Sequence, residues 1–199
     1  MKKDFNDCLG LIQNEKIRNL VTKALAAAPV EFWKDPSSAS GKHHPPENQV
    51  EGGIVIHSRK AVFVALELFV WFNIKDQLSR DKVVAACILH DIAKYGVPWR
   101  KWVDKRHGPI AADWLKRFIP YCESSGENRQ IFPDEDLNDV VELVRNHMGR
   151  WNRPVPTPAL AIGKEVSKKD ILSLIVQIAD FWSSQKWCPF VADEFGEGK

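Results

Sequence analysis

Histidine and aspartate are the residues of this chain whose types and positions could hold a metal ion. Of six histidines, four fall at or near predicted helices rather than in a long loop. The candidate set, in chain order, is His57, His90, Asp91, His107, His147 and Asp180. Imidazole and carboxylate together suit a divalent ion such as Mn, Fe, Ni or Zn, or else Mg. The residue types therefore indicate a metal centre.

The adjacent pair His90-Asp91 sets a geometric condition on such a centre. Neighbouring residues on a helix point about 100° apart, so both can bind one ion only from a helix that borders a cavity. The other ligands must then come from different helices: His57 is predicted to begin one, His147 to end another and Asp180 to lie within a third. Both aspartates lie among apolar residues, where an isolated carboxylate is costly and a bound cation removes the difficulty.

The elements that must position these residues are helices. Helical periodicity dominates, and no stretch alternates for long in the manner of a strand. Caps and breakers predict helices over residues 15–28, 54–72, 79–94, 110–118, 134–147 and 168–184, with Ser79 and Ser167 as N-caps. Pro, Ser and Gly predict loops over 34–53 and 149–167. We expect an all-α bundle of about five to seven helices with long active-site loops.

The bulk composition is that of one globular domain. The 199 residues are 44% hydrophobic and 27% charged, enough for one core and too few for two ordinary domains. We expect a single domain over 1–199, with its core over about 50–185, an N-terminal helical extension and a short C-terminal tail. The net charge of +2 does not favour a nucleic acid as partner.

Cysteine usage and the N-terminus bear on location. The four cysteines form no CxxC pair, which favours a reduced setting over a disulfide framework. No apolar leader follows Met1, and the longest apolar stretch is too short to cross a bilayer. We expect a cytoplasmic protein without a membrane partner; the oligomeric state is not indicated.

Four segments around the candidate ligands resemble a known family. The segment ILHDIAKYG (88–96) is similar to the signature of the HD-domain metal-dependent phosphohydrolases. The family's upstream histidine, later histidine and final aspartate motifs resemble GGIVIHSRKA (52–61), VRNHMGRW (144–151) and QIADFWSS (177–184). A His-Asp pair alone is a weak signal, whereas the ordered set, over roughly two-thirds of the chain, is specific.

The resemblance implies one or two divalent ions (Mn, Fe, Ni, Mg or Zn). It implies a first ion held by His57, His90, Asp91 and Asp180. It also implies a second ion bridged by Asp91 and bound by His107 and His147. Many two-metal members have two adjacent histidines where this chain has Asn146-His147, so the sequence leaves open whether one ion binds or two.

The activity implied is hydrolysis of a phosphomonoester or phosphodiester, with a nucleotide as the expected substrate. A metal-activated water would attack phosphorus while the metal polarises a phosphoryl oxygen. Lys94, three residues past the aspartate of the signature, and Arg59, two past the upstream histidine, are expected to neutralise the phosphate. Residues expected to close over the substrate are Lys42, His44 and Arg150.

Other interpretations of the same residues stay open. Some HD-type proteins that resemble inositol oxygenase build a di-iron centre from the same His and Asp inventory, so an oxygenase of a small polar substrate is one alternative. A non-catalytic metal-binding module is another, which the complete first ligand set disfavours. Lys94 could be only a cation at a helix end, His107 could simply open a helix, and His44 could lie in a solvated loop. Trp99 is most simply a packing residue, with base stacking as the alternative.

Overall fold

The computed structural model describes residues 4–38, 44–121, 134–149 and 167–187, with Tyr121 described by its backbone alone. Every regular element in these ranges is a helix, which confirms the all-α class. The α-helices are α1 (Asn6–Gly10), α2 (Glu15–Ala26), α3 (Val30–Lys34), α4 (Gly53–Trp71), α5 (Gln77–Leu89), α6 (His107–Leu115), α7 (Glu135–Asn146) and α8 (Lys168–Ser183). Two 3-10 turns lie at Pro46–Asn48 and Ile119–Tyr121. The described ranges hold more α-helices than expected because α1 and α3 are short helices of five residues each.

Helices α4 and α5 form the centre of the bundle. Residues 53–65 of α4 and 81–89 of α5 are all buried. A helix surrounded by protein needs no polar face, which explains the continuous apolar runs in these segments. Helix α8 packs on α4, α2 and α7 pack on α5, and α6 packs on α7. No helix within the described ranges is both long and apolar enough to cross a membrane.

Helix starts agree with the sequence prediction where a side-chain cap is present. Asp134 caps α7, and Ser167 caps α8 in a capping box with Asp170. Helix α5 is the exception, because its N-cap is Asp76 rather than Ser79, and the Asp76 carboxylate accepts from the Ser79 backbone N–H. This helix also ends at Leu89 instead of continuing to residue 94; turns occupy 90–99.

Two glycines determine how α4 begins. Gly52 has a φ of 76°, in the left-handed region that favours glycine. A Cβ on Gly53 would lie 2.0 Å from the backbone oxygen of Asn48 and 2.8 Å from the backbone nitrogen of Ser37. The residues preceding α4 therefore pack backbone to backbone against its first turn. This packing places His57 in a wholly buried position.

Candidate metal centre

The first cluster of candidate ligands joins three helices. His57 lies on α4, His90 directly follows α5, and Asp180 lies on α8. Nε2 of His57 lies 3.2 Å from Nε2 of His90 and 3.0 Å from Oδ1 of Asp180. Nε2 of His90 lies 3.5 Å from the same carboxylate oxygen. These atoms are close enough together to hold one ion.

The second cluster consists of Asp91, His107 and His147, all buried. His107 begins α6 and His147 directly follows α7. Their Nε2 atoms lie 3.0 Å apart. Oδ1 of Asp91 lies 3.1 Å from Nε2 of His107 and 4.0 Å from Nε2 of His147. The candidate second-ion residues are thus brought together as a group.

Asp91 connects the two clusters. While its Oδ1 faces the second cluster, its Oδ2 lies 3.6 Å from Nε2 of His57 and 3.6 Å from Nε2 of His90. The side chain is only 2% exposed. One buried carboxylate therefore presents one oxygen to each cluster.

Backbone carbonyls orient three of the four imidazoles. Nδ1 of each histidine lies near the carbonyl oxygen three residues earlier, at 2.8 Å for His90 and Cys87, 2.7 Å for His107 and Asp104, and 2.7 Å for His147 and Val144. Helices α5 and α7 end just before His90 and His147, and the last carbonyls of a helix have no intrahelical partner. A carbonyl only accepts, so we assign the proton of these rings to Nδ1, which leaves Nε2 for an ion.

The fourth imidazole has a different partner. Nδ1 of His57 lies 3.1 Å from Oγ of Ser183, the last residue of α8. Sequence reasoning did not single out Ser183, although it lies within the final aspartate motif. Ser183 lies three residues after Asp180, and residues three apart are neighbours on a helix. This spacing is the sequence feature that could have identified it.

The arrangement of nitrogens fits a bound cation. If each ring carries its one proton on Nδ1, His107 and His147 direct two bare Nε2 lone pairs at each other across 3.0 Å. Such a contact is repulsive unless positive charge lies between the atoms. The nearby Asp91 carboxylate adds negative charge at the same place. A divalent ion matches this donor set of imidazoles and carboxylate.

Neighbouring side chains keep the two carboxylates ionised despite their burial. Burial raises the pKa of Asp91, but Lys94 and then His90 outweigh it and hold that pKa well below the usual range. Burial likewise raises the pKa of Asp180, yet the adjacent His57 and His90 side chains outweigh it and hold that pKa well below the usual range. Both carboxylates are therefore in the form that binds a cation.

Two of the imidazoles, His57 and His147, favour the neutral form because burial lowers their pKa. Burial, followed by the neighbouring His107 and His90, lowers the pKa of His147 to about 3. Burial also lowers the pKa of His57. His90 differs, because burial is outweighed by Asp91 and the net shift of its pKa is upward. Neutral imidazole is the metal-binding form.

Two of the expected phosphate-neutralising or substrate-facing residues lie beside the clusters. Lys94 donates from Nζ to Oδ2 of Asp91, with its side chain 10% exposed. The His44 ring contacts the His57 ring edge to face, with centroids 5.3 Å apart, and its Nδ1 lies 3.0 Å from Oγ of Ser37. Lys42 and Arg150 lie outside the described residues.

Arg59 does not lie at the centre, which corrects the expectation that it binds phosphate. Its guanidinium pairs with both carboxylate oxygens of Asp7, at 2.6 and 2.7 Å, and donates to the backbone oxygen of Asp4. Residues two apart on a helix point about 200° apart, so Arg59 faces away from His57. Its wholly buried side chain holds the N-terminal segment onto α4.

Gly108 allows the second cluster to form. A Cβ at this position would lie 2.8 Å from the backbone oxygen of Arg145 and 3.3 Å from the His147 ring. Only glycine lets the start of α6 approach the end of α7 this closely. The approach brings His107 to His147. Helix α6 begins at His107 rather than at the predicted residue 110.

The sequence profile described as HD domain matches residues 54–181, well over half of the chain. The chain belongs to the HD-domain family. The match extends from the first turn of α4 to the residue after Asp180 and includes both His/Asp clusters. The resemblance carried by the sequence motifs is thereby confirmed. No curated protein and no solved structure matches this HD domain significantly.

Proposed function

We propose that this HD domain hydrolyses phosphate esters at a centre of two divalent ions. The observation that carries the proposal is the division of the Asp91 carboxylate between two buried clusters. In this proposal the first ion is held by His57, His90, Asp91 and Asp180. The second is held by Asp91, His107 and His147.

The protein's contribution would be to hold the ions and orient the phosphate. When bound, the ions would supply an activated water at neutral pH and would polarise a phosphoryl oxygen. Asp91 would help to hold both ions, because one of its oxygens faces each cluster. The hydrogen bonds at Nδ1 of the histidines would fix the orientation of the rings, since hydrogen-bond partners of this kind orient metal ligands.

Lys94 is the proposed phosphate-binding cation. It lies next to the carboxylate that the two clusters share, so a phosphate bound at this centre would come within its reach. A lysine acts there as a flexible point charge. His44, beside His57, is proposed to face the substrate; Lys42 and Arg150 stay predictions for the same role.

The proposed substrate class is the nucleotides. A narrow cleft is lined by Asp91, Lys94, Tyr95 and Trp99, among others. Trp99 is 48% exposed, and its indole N–H donates to Asp35 across 3.1 Å. An exposed indole of restricted orientation near a phosphate-binding lysine suits stacking with a base. The single-domain extent and cytoplasmic location also stay predictions.

Phosphate release from ion-loaded protein tests the proposal. The chain is stripped with a chelator, reloaded separately with Mn²⁺, Mg²⁺, Zn²⁺ or anaerobic Fe²⁺, and given nucleotides and an aryl phosphate. We expect ion-dependent phosphate release that is lost in Asp91→Asn and retained in Asp113→Asn, whose carboxylate is 68% exposed on α6.

Three outcomes would contradict the proposed hydrolase. Release that is insensitive to the chelator and to Asp91→Asn would contradict the assigned centre. Oxygen consumption by the Fe²⁺-loaded chain on a small polar substrate, without phosphate release from the panel, would favour the oxygenase alternative. Stable ion binding with neither reaction would favour the non-catalytic module.

A further inference from the structure

Ser183 touches two of the candidate ligand residues. It is the last residue of α8 and is fully buried. Its Oγ lies 3.1 Å from Nδ1 of His57 and 2.9 Å from the backbone oxygen of Asp180. The hydroxyl therefore bridges an imidazole of the first cluster and the main chain of that cluster's aspartate.

A hydroxyl can serve His57 in a way that a carbonyl cannot. It has one proton to donate and two lone pairs that accept. The carbonyls beside His90, His107 and His147 keep a proton on Nδ1 in every state. Ser183 can instead accept from Nδ1–H or donate to a bare Nδ1.

Each direction of this hydrogen bond corresponds to one state of the centre. With an ion on His57, Nε2 carries no proton, so Nδ1–H donates to Ser183 while the hydroxyl donates to the Asp180 carbonyl. Without an ion, Nε2–H can donate to Oδ1 of Asp180 across 3.0 Å. The Ser183 hydroxyl then turns and donates to Nδ1. The Asp180 carbonyl then still accepts from the Ser184 backbone N–H across 3.3 Å, so each of these buried polar groups keeps a partner in both states.

We propose that Ser183 is a positioning residue that holds His57 in its metal-binding orientation and tautomer. The proposal rests on the proposed metal centre. It adds that His57 is the one ligand of the described centre whose tautomer changes on ion binding, because its Nδ1 partner is a hydroxyl.

The surroundings of Ser183 hold its backbone in place. The amide of Asn48, a fully buried residue, donates to the Ser183 backbone oxygen across 3.2 Å. The backbone oxygen of Asn48 in turn accepts from the backbone N–H and the hydroxyl of Ser37. These hydrogen bonds connect the end of α8 to the segment that precedes α4, although the buried Oδ1 of Asn48 accepts none of them. Ser183 is thus a fixed support for the His57 ring.

Ion affinity of matched serine variants tests the role. Zn²⁺ binding is measured by competition with a chromophoric chelator for wild type, Ser183→Ala, Ser183→Thr and Ser184→Ala. Ser184 is the control, because its hydroxyl also donates to a carbonyl three residues earlier, Phe181 at 2.6 Å. No contact with a histidine is described for it.

Only loss of the Ser183 hydroxyl should weaken binding. We expect Ser183→Ala to lose about 10- to 100-fold in affinity for one ion. Ser183→Thr, which keeps a hydroxyl, and Ser184→Ala should bind like the wild type, with all far-ultraviolet circular dichroism spectra unchanged. If the wild type binds Zn²⁺ and Ser183→Ala binds it with equal affinity, the proposed role of Ser183 is overturned and the metal centre is not. A wild type that binds no ion would overturn the metal centre as well.

The tautomer of His57 gives a second readout that needs no variant. Long-range ¹H–¹⁵N correlation spectra of the wild type report which ring nitrogen carries the proton. We expect the His57 proton on Nδ1 in the Zn²⁺-loaded chain and on Nε2 in the ion-free chain, with His107 and His147 protonated on Nδ1 in both. A His57 ring with the same tautomer in both states would overturn the proposal.

Discussion

Oδ1 of Asp91 lies 3.1 Å from Nε2 of His107, on the side of the carboxylate that faces away from the first cluster. Oδ2, the other oxygen, faces His57 and His90. The two clusters thus share one residue and otherwise consist of separate residues. Removing a ligand that belongs to only one cluster should therefore have a selective effect.

His107→Ala is expected to remove one ion and keep the other. His107 belongs to the second cluster alone, and the first retains all four of its proposed ligands. Elemental analysis of reloaded protein should fall from about two ions per chain to about one. An unaltered stoichiometry would mean that no ion binds at His107, and the second site should then be dropped.

Gly108→Ala is expected to weaken the same ion without touching any ligand atom. The new Cβ would meet the Arg145 backbone oxygen at 2.8 Å, so α6 must move away from α7 and carry His107 from His147. Gly10→Ala is the control, because a Cβ there meets no atom within 4 Å. Ion titration should show weaker binding at one site in Gly108→Ala and wild-type binding at both sites in Gly10→Ala. Equal binding by both variants would contradict the packing role.

Lys94→Met is expected to impair hydrolysis while both ions stay bound. Loss of one cation directed at the phosphate should lower kcat/KM by about 100-fold, as measured with the best nucleotide of the panel. Lys101→Met is the control, because Lys101 is exposed beside the Trp102 ring. If Lys94→Met keeps full activity, Lys94 serves only as the ion-pair partner of Asp91.

Asp7→Asn is expected to destabilise the fold without affecting the metal centre. It leaves the buried Arg59 guanidinium without its anionic partner. Breaking a fully buried pair costs roughly 3–5 kcal/mol; because the Asp7 side chain is 28% exposed, we expect about 2 kcal/mol in urea unfolding. The control Asp113→Asn breaks a surface pair with Arg145 and should cost at most about 1 kcal/mol. Impaired phosphate binding at unchanged stability would contradict the structural role of Arg59.

The same ion pair predicts a pH dependence. Hydrogen bonding to Arg59 lowers the pKa of Asp7 from 3.8 to about 2. Because the folded pKa is the lower one, its stabilisation is complete above about pH 4 and is lost as the pH falls toward about 2. The difference in unfolding free energy between wild type and Asp7→Asn should shrink over this interval. If this difference in unfolding free energy does not change with pH, the Asp7–Arg59 pair is not the source of the stabilisation.

Much of the centre was predictable because the ligands lie at helix ends. The patterns that ended a helix at His147 and placed Asp180 within α8 identified the elements that converge. The expectation for Arg59 was wrong because a position close to His57 in sequence need not lie on the same side of α4. A position two residues away on a helix lies on nearly the opposite side.

Other features depend on tertiary packing that local sequence does not encode. The meeting of His107 with His147 requires α6 and α7 to touch at Gly108, a long-range contact. The division of the Asp91 oxygens follows from four helices meeting at one residue. Ser183 shows the same limit, since its hydroxyl matters only because α8 ends beside His57 on α4.

Ion content of wild type and Asp91→Asn tests the central claim most directly. After reloading with Mn²⁺ and removal of free ion, elemental analysis should find about two ions per wild-type chain. Asp91→Asn should retain well below one, because both clusters lose a charged oxygen, with its helical circular dichroism preserved. Equal ion content in the two folded proteins would contradict the assignment of Asp91 as the shared ligand of a two-ion centre.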